Sequence, residues 1–153
     1  MAAGYDALID RVAREHGLEP ALVRAVVQVE SGGDPWAVRA EPAFYRTYVQ
    51  PMNLSDTEER ARSISWGLMQ IMGEVARELG FAGKYLSALC DPETGLRYGC
   101  MHLKRFLDRH GTVERAVAAY NAGSPRMANG RFVNQDYVDK VMAAVGRVRD
   151  GLA

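Results

Sequence analysis

A single, mainly α-helical domain is what the sequence predicts, and three observations predict it. Apolar residues recur at helical spacing along most of the chain, and glycines fall where those runs stop. No sustained alternation of apolar and polar residues suggests a large sheet. The 153 residues suit one hydrophobic core, so one domain over residues 1–153 is expected.

Taken in order, residues from about Tyr5 to His16 place Leu8, Ile9, Val12 and Ala13 on one face, and Gly17 ends the run. Pro20 opens a second helix, apolar through Leu22, Val23, Val26, Val27 and Val29, which halts at Gly32-Gly33. From Ala40 to Ser65 the regularity lapses. Phe44, Tyr45 and Tyr48 make this stretch aromatic, Pro42 and Pro51 break it, and Ser55 with Glu58 forms a capping-box pattern. An extended loop with one or two short helices is expected there. Further helices are expected at about 68–79, 92–109, 113–122 and 135–149, with Gly80, Gly111 and Gly123 as stops for the first three. Asn129-Gly130 is a tight-turn signal with room for one small β-hairpin.

Charge narrows the function. Nineteen basic residues balance nineteen acidic ones, so no basic surface is on offer to nucleic acid or an anionic membrane. A neutral partner such as a carbohydrate fits better. No apolar run approaches the ~20 residues of a membrane span. The start, Met-Ala-Ala-Gly-Tyr-Asp, lacks the basic and apolar regions of a secretory signal. Asp91-Pro92 reads as an N-cap followed by a first-turn proline, placing Cys90 before a helix and Cys100 in its third turn. At ~1.5 Å rise per residue the two cysteines lie roughly 13–15 Å apart, too far for a disulfide. Free thiols are expected, with Cys100 buried. The histidines His16, His102 and His110 match no metal-ligand spacing, and no metal or cofactor is expected.

Three clusters carry candidate chemistry. Glu30 ends an apolar helix just before Ser31-Gly32-Gly33. Apolar neighbours and the negative end of the helix dipole both disfavour its ionised form, as a general acid requires. A solvated helix-end glutamate is the competing reading. The second cluster is Ser65-Trp66-Gly67-Leu68-Met69-Gln70-Ile71-Met72. Here Gly67 permits close backbone approach, Gln70 offers a donor and an acceptor, and Met69 and Met72 suit an adaptable groove. A core helix padded with methionine would look the same. The third, Ala118-Ala119-Tyr120-Asn121-Ala122-Gly123, is a tightly packed helix end that presents Tyr120 and Asn121.

In this order, and with the Tyr137-Val138 pair, the clusters resemble the lytic transglycosylases of the soluble, goose-type-lysozyme-like family. The resemblance runs from about Leu18 to Val145. Asp34-Pro35 with Ala37-Val38, and Asp91-Pro92 followed by Gly99 and Leu103, add to it. It implies a lysozyme-like helical domain with a substrate cleft, Glu30 on one wall and Gly67–Met72 with Tyr120 on the other. It also implies cleavage of the β-1,4 bond between N-acetylmuramic acid and N-acetylglucosamine in peptidoglycan strands. Glu30 matches the catalytic glutamate, and Tyr120 the tyrosine that hydrogen-bonds its carboxyl. Gln70 and Met72 match groove residues that contact sugar, Tyr137 matches a cleft aromatic, and Ser31 and Asn121 support the site.

One departure stands out. The connection between Ala37-Val38 and Gly67 is longer than the family's by about twenty residues, and Arg39 stands near the place of the family's serine. The longer connection brings in Glu41, held extended by Pro42, as a candidate second carboxylate. A salt bridge from Glu41 to Arg39 is the plainer reading. The small lone domain without a secretory signal looks like a phage endolysin, made in the cytoplasm, released to the wall and acting as a monomer. A catalytically silent wall-binding or virion-structural module on the same fold is the alternative.

Overall fold

The computed structural model describes residues 4–152. Five helices form its main body: α1 (Asp6–Glu15), α2 (Pro20–Ser31), α6 (Pro92–His110), α7 (Val113–Ala122) and α8 (Gln135–Arg149). Their boundaries lie within a residue or two of the expected ones, because the punctuation acts locally. Pro20 starts α2 where a missing N–H costs nothing, and Gly32 closes it at φ 63°. Asp91 caps α6 by accepting from the Thr94 N–H at 2.9 Å.

Ile9, Val12 and Ala13 of α1 pack with Leu22, Val23, Val26 and Val27 of α2, Leu96, Cys100 and Leu103 of α6, and Val138, Val141 and Val145 of α8. Arg24 of α2 forks onto Asp10 of α1 at 2.7 and 2.6 Å, fixing the register of the first two helices. Both cysteines are buried free thiols.

One expectation needs correcting. The run 68–79 is not one helix. A three-stranded antiparallel sheet joins β1 (Val38–Ala40), β2 (Ile64–Trp66) and β3 (Ile71–Met72), and only then does α5 (Gly73–Glu78) begin. Gly67 to Gln70 form the turn between β2 and β3, closed by a Gln70 N–H to Gly67 carbonyl bond of 3.1 Å. Leu68 and Met69 at its tip point inward and are almost wholly buried. An apolar turn driven into the core leaves the same composition as a core helix, which is why periodicity misassigns it. The Asn129-Gly130 hairpin exists as β4 (Met127–Ala128) and β5 (Arg131–Phe132), but the other sheet accompanies it.

The irregular stretch resolves into a one-turn α3 (Pro42–Phe44), which continues as wider and then tighter turns to Met52, and into α4 (Asp56–Arg62). Ser55 is the N-cap of α4, yet its side chain makes no capping bond, so the capping box does not form. Glu58 is instead drawn to Arg62 at 2.9 Å and Arg77 at 2.8 Å, and Arg62 reaches Glu74 at 3.2 Å. This charge network locks α4 onto α5. A smaller core of Ile71, Ala76, Phe81, Leu86 and Leu89 lies behind the sheet.

Candidate active site

Glu30 sits in the last turn of α2, and two ties hold that turn. The Ser31 hydroxyl donates to the Leu68 carbonyl at 2.8 Å. Beyond it, the carbonyl of Ala37 accepts from the Gly67 N–H at 2.8 Å and the Gln70 side-chain amide at 2.9 Å. Helix end and turn therefore form one rigid wall. Gly67 is required twice over: its φ is 72°, and a Cβ there would lie 2.6 Å from the Leu89 carbonyl oxygen. Gln70 is also left-handed, at φ 49°, a conformation uncommon for its residue type. Its amide nitrogen is used by Ala37 and Gly67, so its role is structural on the donor side.

The carboxyl of Glu30 receives one hydrogen bond from the described residues, and it comes from Tyr137. The hydroxyl donates to Oε1 at 2.6 Å. Tyr137 stands in the first turn of α8, 107 positions along the chain. Here the structure corrects the sequence reading. Tyr120 does not donate to Glu30; its hydroxyl donates to the Met69 carbonyl at 2.6 Å, so it braces the turn from within the core. Tyr120 stays close enough for the Glu30 charge to add to the burial that raises its pKa. Only the Tyr-Val pair signalled Tyr137, and nothing local to it indicated a partner so distant in sequence.

Burial holds the Glu30 carboxyl above the usual glutamate range. The Tyr137 hydrogen bond and the Arg39 charge pull it down in part, and Glu41 adds a small upward push. Burial also raises the Tyr137 hydroxyl, with the Glu30 charge second. So Tyr137 remains a neutral donor, and it fixes Oε1 while leaving Oε2 to hold or release a proton.

The remaining candidates divide. The charges of Arg39 and Glu41 act on Glu30 in opposite directions, and the two side chains are joined by a 2.7 Å bond from Arg39 Nε to Glu41 Oε1. The plainer reading of Glu41, an ion pair with Arg39, is what the structure shows. Met72 is half-buried at the start of α5, whereas Met69 is fully buried and lines no groove. Asn121 is exposed, and its side-chain oxygen accepts from Asn134 at 2.8 Å, a staple between the end of α7 and the start of α8. No group of three or more metal-ligating side chains comes together among the described residues.

A lysozyme-like helical domain with a buried carboxyl at a helix end is thus the class that fold and site define. The comparisons specify it further. The model of the transglycosylase SLT domain matches residues 7–140, and the chain belongs to that family. The protein called transglycosylase of Enterobacteria phage PRD1 is 31% identical over 134 residues, covering 88% of this chain and 40% of that protein. The chain therefore spans less than half the length of that relative. No helix among the described residues is long and apolar enough to cross a membrane.

Proposed function

We propose that the chain cleaves the β-1,4 bond between N-acetylmuramic acid and N-acetylglucosamine in bacterial peptidoglycan, with Glu30 as general acid and base. The observation that carries this reading is a carboxyl with raised pKa, one oxygen fixed by Tyr137 and the other without a hydrogen-bond partner among the described residues. Glu30 protonates the glycosidic oxygen as the C1–O4 bond breaks and positive charge develops at C1. The 6-hydroxyl of the same ring then attacks C1 and returns its proton to Glu30, closing an anhydro ring. A hydrolase would need water and a second carboxylate. Glu41 is the candidate, but one of its oxygens is committed to Arg39, which favours a role in shaping the site over activating water. Gln70 and Met72 would contact the sugar, Ser31 ties the helix end to the Gly67–Gln70 turn, Asn121 staples α7 to α8, and release to the cell wall would cause lysis.

The test is mass analysis of digested peptidoglycan. Anhydro-ended muropeptides are expected, whereas reducing ends heavier by one water would show hydrolysis. Glu30→Gln should lower the rate by about 10²–10⁴, the usual share of a general acid. A carboxyl with a raised folded pKa loses stability as pH rises through that value. At neutral pH the Gln variant should therefore melt no lower than the parent. Near-parental lysis by it would sink the assignment.

A further inference from the structure

The segment that lengthens the β1–β2 connection builds a recess of about 270 Å³. Ala40, Pro42, Ile64 and the Tyr45 ring make most of its wall, and Glu41 and Arg60 supply its charges. The volume lies just below the ~300–1,000 Å³ of drug-sized ligand sites. It suits one or two small residues, not a run of sugars.

The two charges differ in their state. Glu41 is held by Arg39. Arg60, in the last turn of α4, makes no salt bridge among the described residues, although Arg62 and Arg77 beside it are both paired. Its guanidinium stands 5.9 Å from the centre of the Tyr45 ring, and the Tyr45 hydroxyl is turned away to Glu59 at 3.2 Å. The recess thus presents methyl-sized apolar walls beneath a free guanidinium, which favours a short apolar chain ending in or carrying a carboxylate.

Its position matters as much as its chemistry. β1 leaves the loop that follows Glu30, and Glu41, which borders the recess, also reaches Glu30 with its charge. Peptidoglycan differs from unsubstituted amino-sugar polymers by a peptide on the muramic acid ring, the ring whose C1 is attacked. That peptide begins with alanine and glutamate, a methyl followed by a carboxylate. We infer that the recess is a subsite for this peptide, its alanine against Ala40, Pro42 and Ile64 and a peptide carboxylate on Arg60. This subsite presupposes the peptidoglycan substrate proposed above.

Two measurements on the full chain separate the two ideas. Binding of a disaccharide-peptide is compared by calorimetry with binding of the same disaccharide stripped of peptide. The parent should hold the peptide-bearing form at least tenfold more tightly, Arg60→Glu should erase the difference, and Arg60→Lys should restore part of it. Strand cleavage should then show a raised KM for peptide-bearing strands in Arg60→Glu, with kcat, and all constants on stripped strands, within twofold of the parent. Equal binding of the two disaccharides by the parent, or unaltered discrimination in Arg60→Glu with an unchanged melting temperature, overturns the subsite. A parent that discriminates in binding yet cleaves neither strand would overturn the catalytic reading and leave the subsite standing.

Discussion

Two tyrosines show how far a single hydroxyl's role depends on what it faces. Tyr137 donates to a carboxyl, Tyr120 to a backbone carbonyl, both at 2.6 Å. Tyr137→Phe should lower kcat by roughly 10- to 100-fold, since a hydrogen bond to a charged group is worth about 1.5–3 kcal/mol. KM and melting temperature should change little. Tyr120→Phe leaves the Met69 carbonyl buried without its partner, which costs about 1–3 kcal/mol of stability. Its activity should fall only as far as its folded fraction does. Rate assays and thermal melts on both variants distinguish the roles. A second prediction concerns pH. Arg39 lowers and Glu41 raises the Glu30 pKa. Glu41→Gln removes the upward push and leaves Arg39 unneutralised, so Glu30 loses its proton at lower pH. The alkaline limb of the pH–rate profile should move to lower pH, and activity at neutral pH should drop. An unmoved limb would remove Glu41 from the electrostatics of the site.

At the scale of elements, the turn from Gly67 to Gln70 decides whether Glu30 has a wall to stand on. A side chain at Gly67 meets both a left-handed backbone, costing about 1–2 kcal/mol, and the Leu89 carbonyl at 2.6 Å. Gly111 is left-handed too, but nothing lies within 4 Å of its missing Cβ. Gly67→Ala should therefore melt several degrees below Gly111→Ala, and circular dichroism melts would show it. Elements also show what was legible in the sequence. α2, α6, α7 and α8 were readable because proline, aspartate and glycine act on neighbouring backbone, and helical spacing records a buried face. The sheet was not. β1 and β3 are three and two residues long and are held by partners up to 28 positions away, a separation that leaves no period to read. Glu30 was legible as a residue because a carboxyl after an apolar run is locally anomalous. Its hydrogen-bond partner depends on how α8 docks on α2, which no local pattern records.

At the scale of the whole molecule, a histidine buried in the core contributes to the dependence of stability on pH. His102 is buried between Phe106 and Tyr120, its Nδ1 without a hydrogen-bond partner among the described residues, and burial, helped by the Arg105 charge, lowers its pKa to about 3. A histidine depressed in the folded state contributes stability above its unfolded pKa, near 6.5, and that contribution is lost as pH falls towards 3. The slope from this group alone is at most about 1.4 kcal/mol per pH unit. His102→Phe should flatten the fall in stability between pH 6.5 and 3, as denaturant titrations across that range would reveal. An equally steep fall in the variant would assign the acid sensitivity to other groups.

The bond between Tyr137 and Glu30 also sets a clock. α8 emerges from the ribosome only after α1 to α7, and it closes onto α2 through Val138, Val141 and Val145, with Arg149 forking onto Glu19 at 2.9 and 2.7 Å. Contacts so distant along a chain form late, because the loop between them must first be closed. A nascent polypeptide holding every residue up to the Asn129-Gly130 turn carries Glu30 without the hydroxyl that fixes its carboxyl. Fixing of the Glu30 carboxyl therefore waits for α8 to be made and docked, and a chain stopped short of Tyr137 should lack the activity proposed for the whole domain.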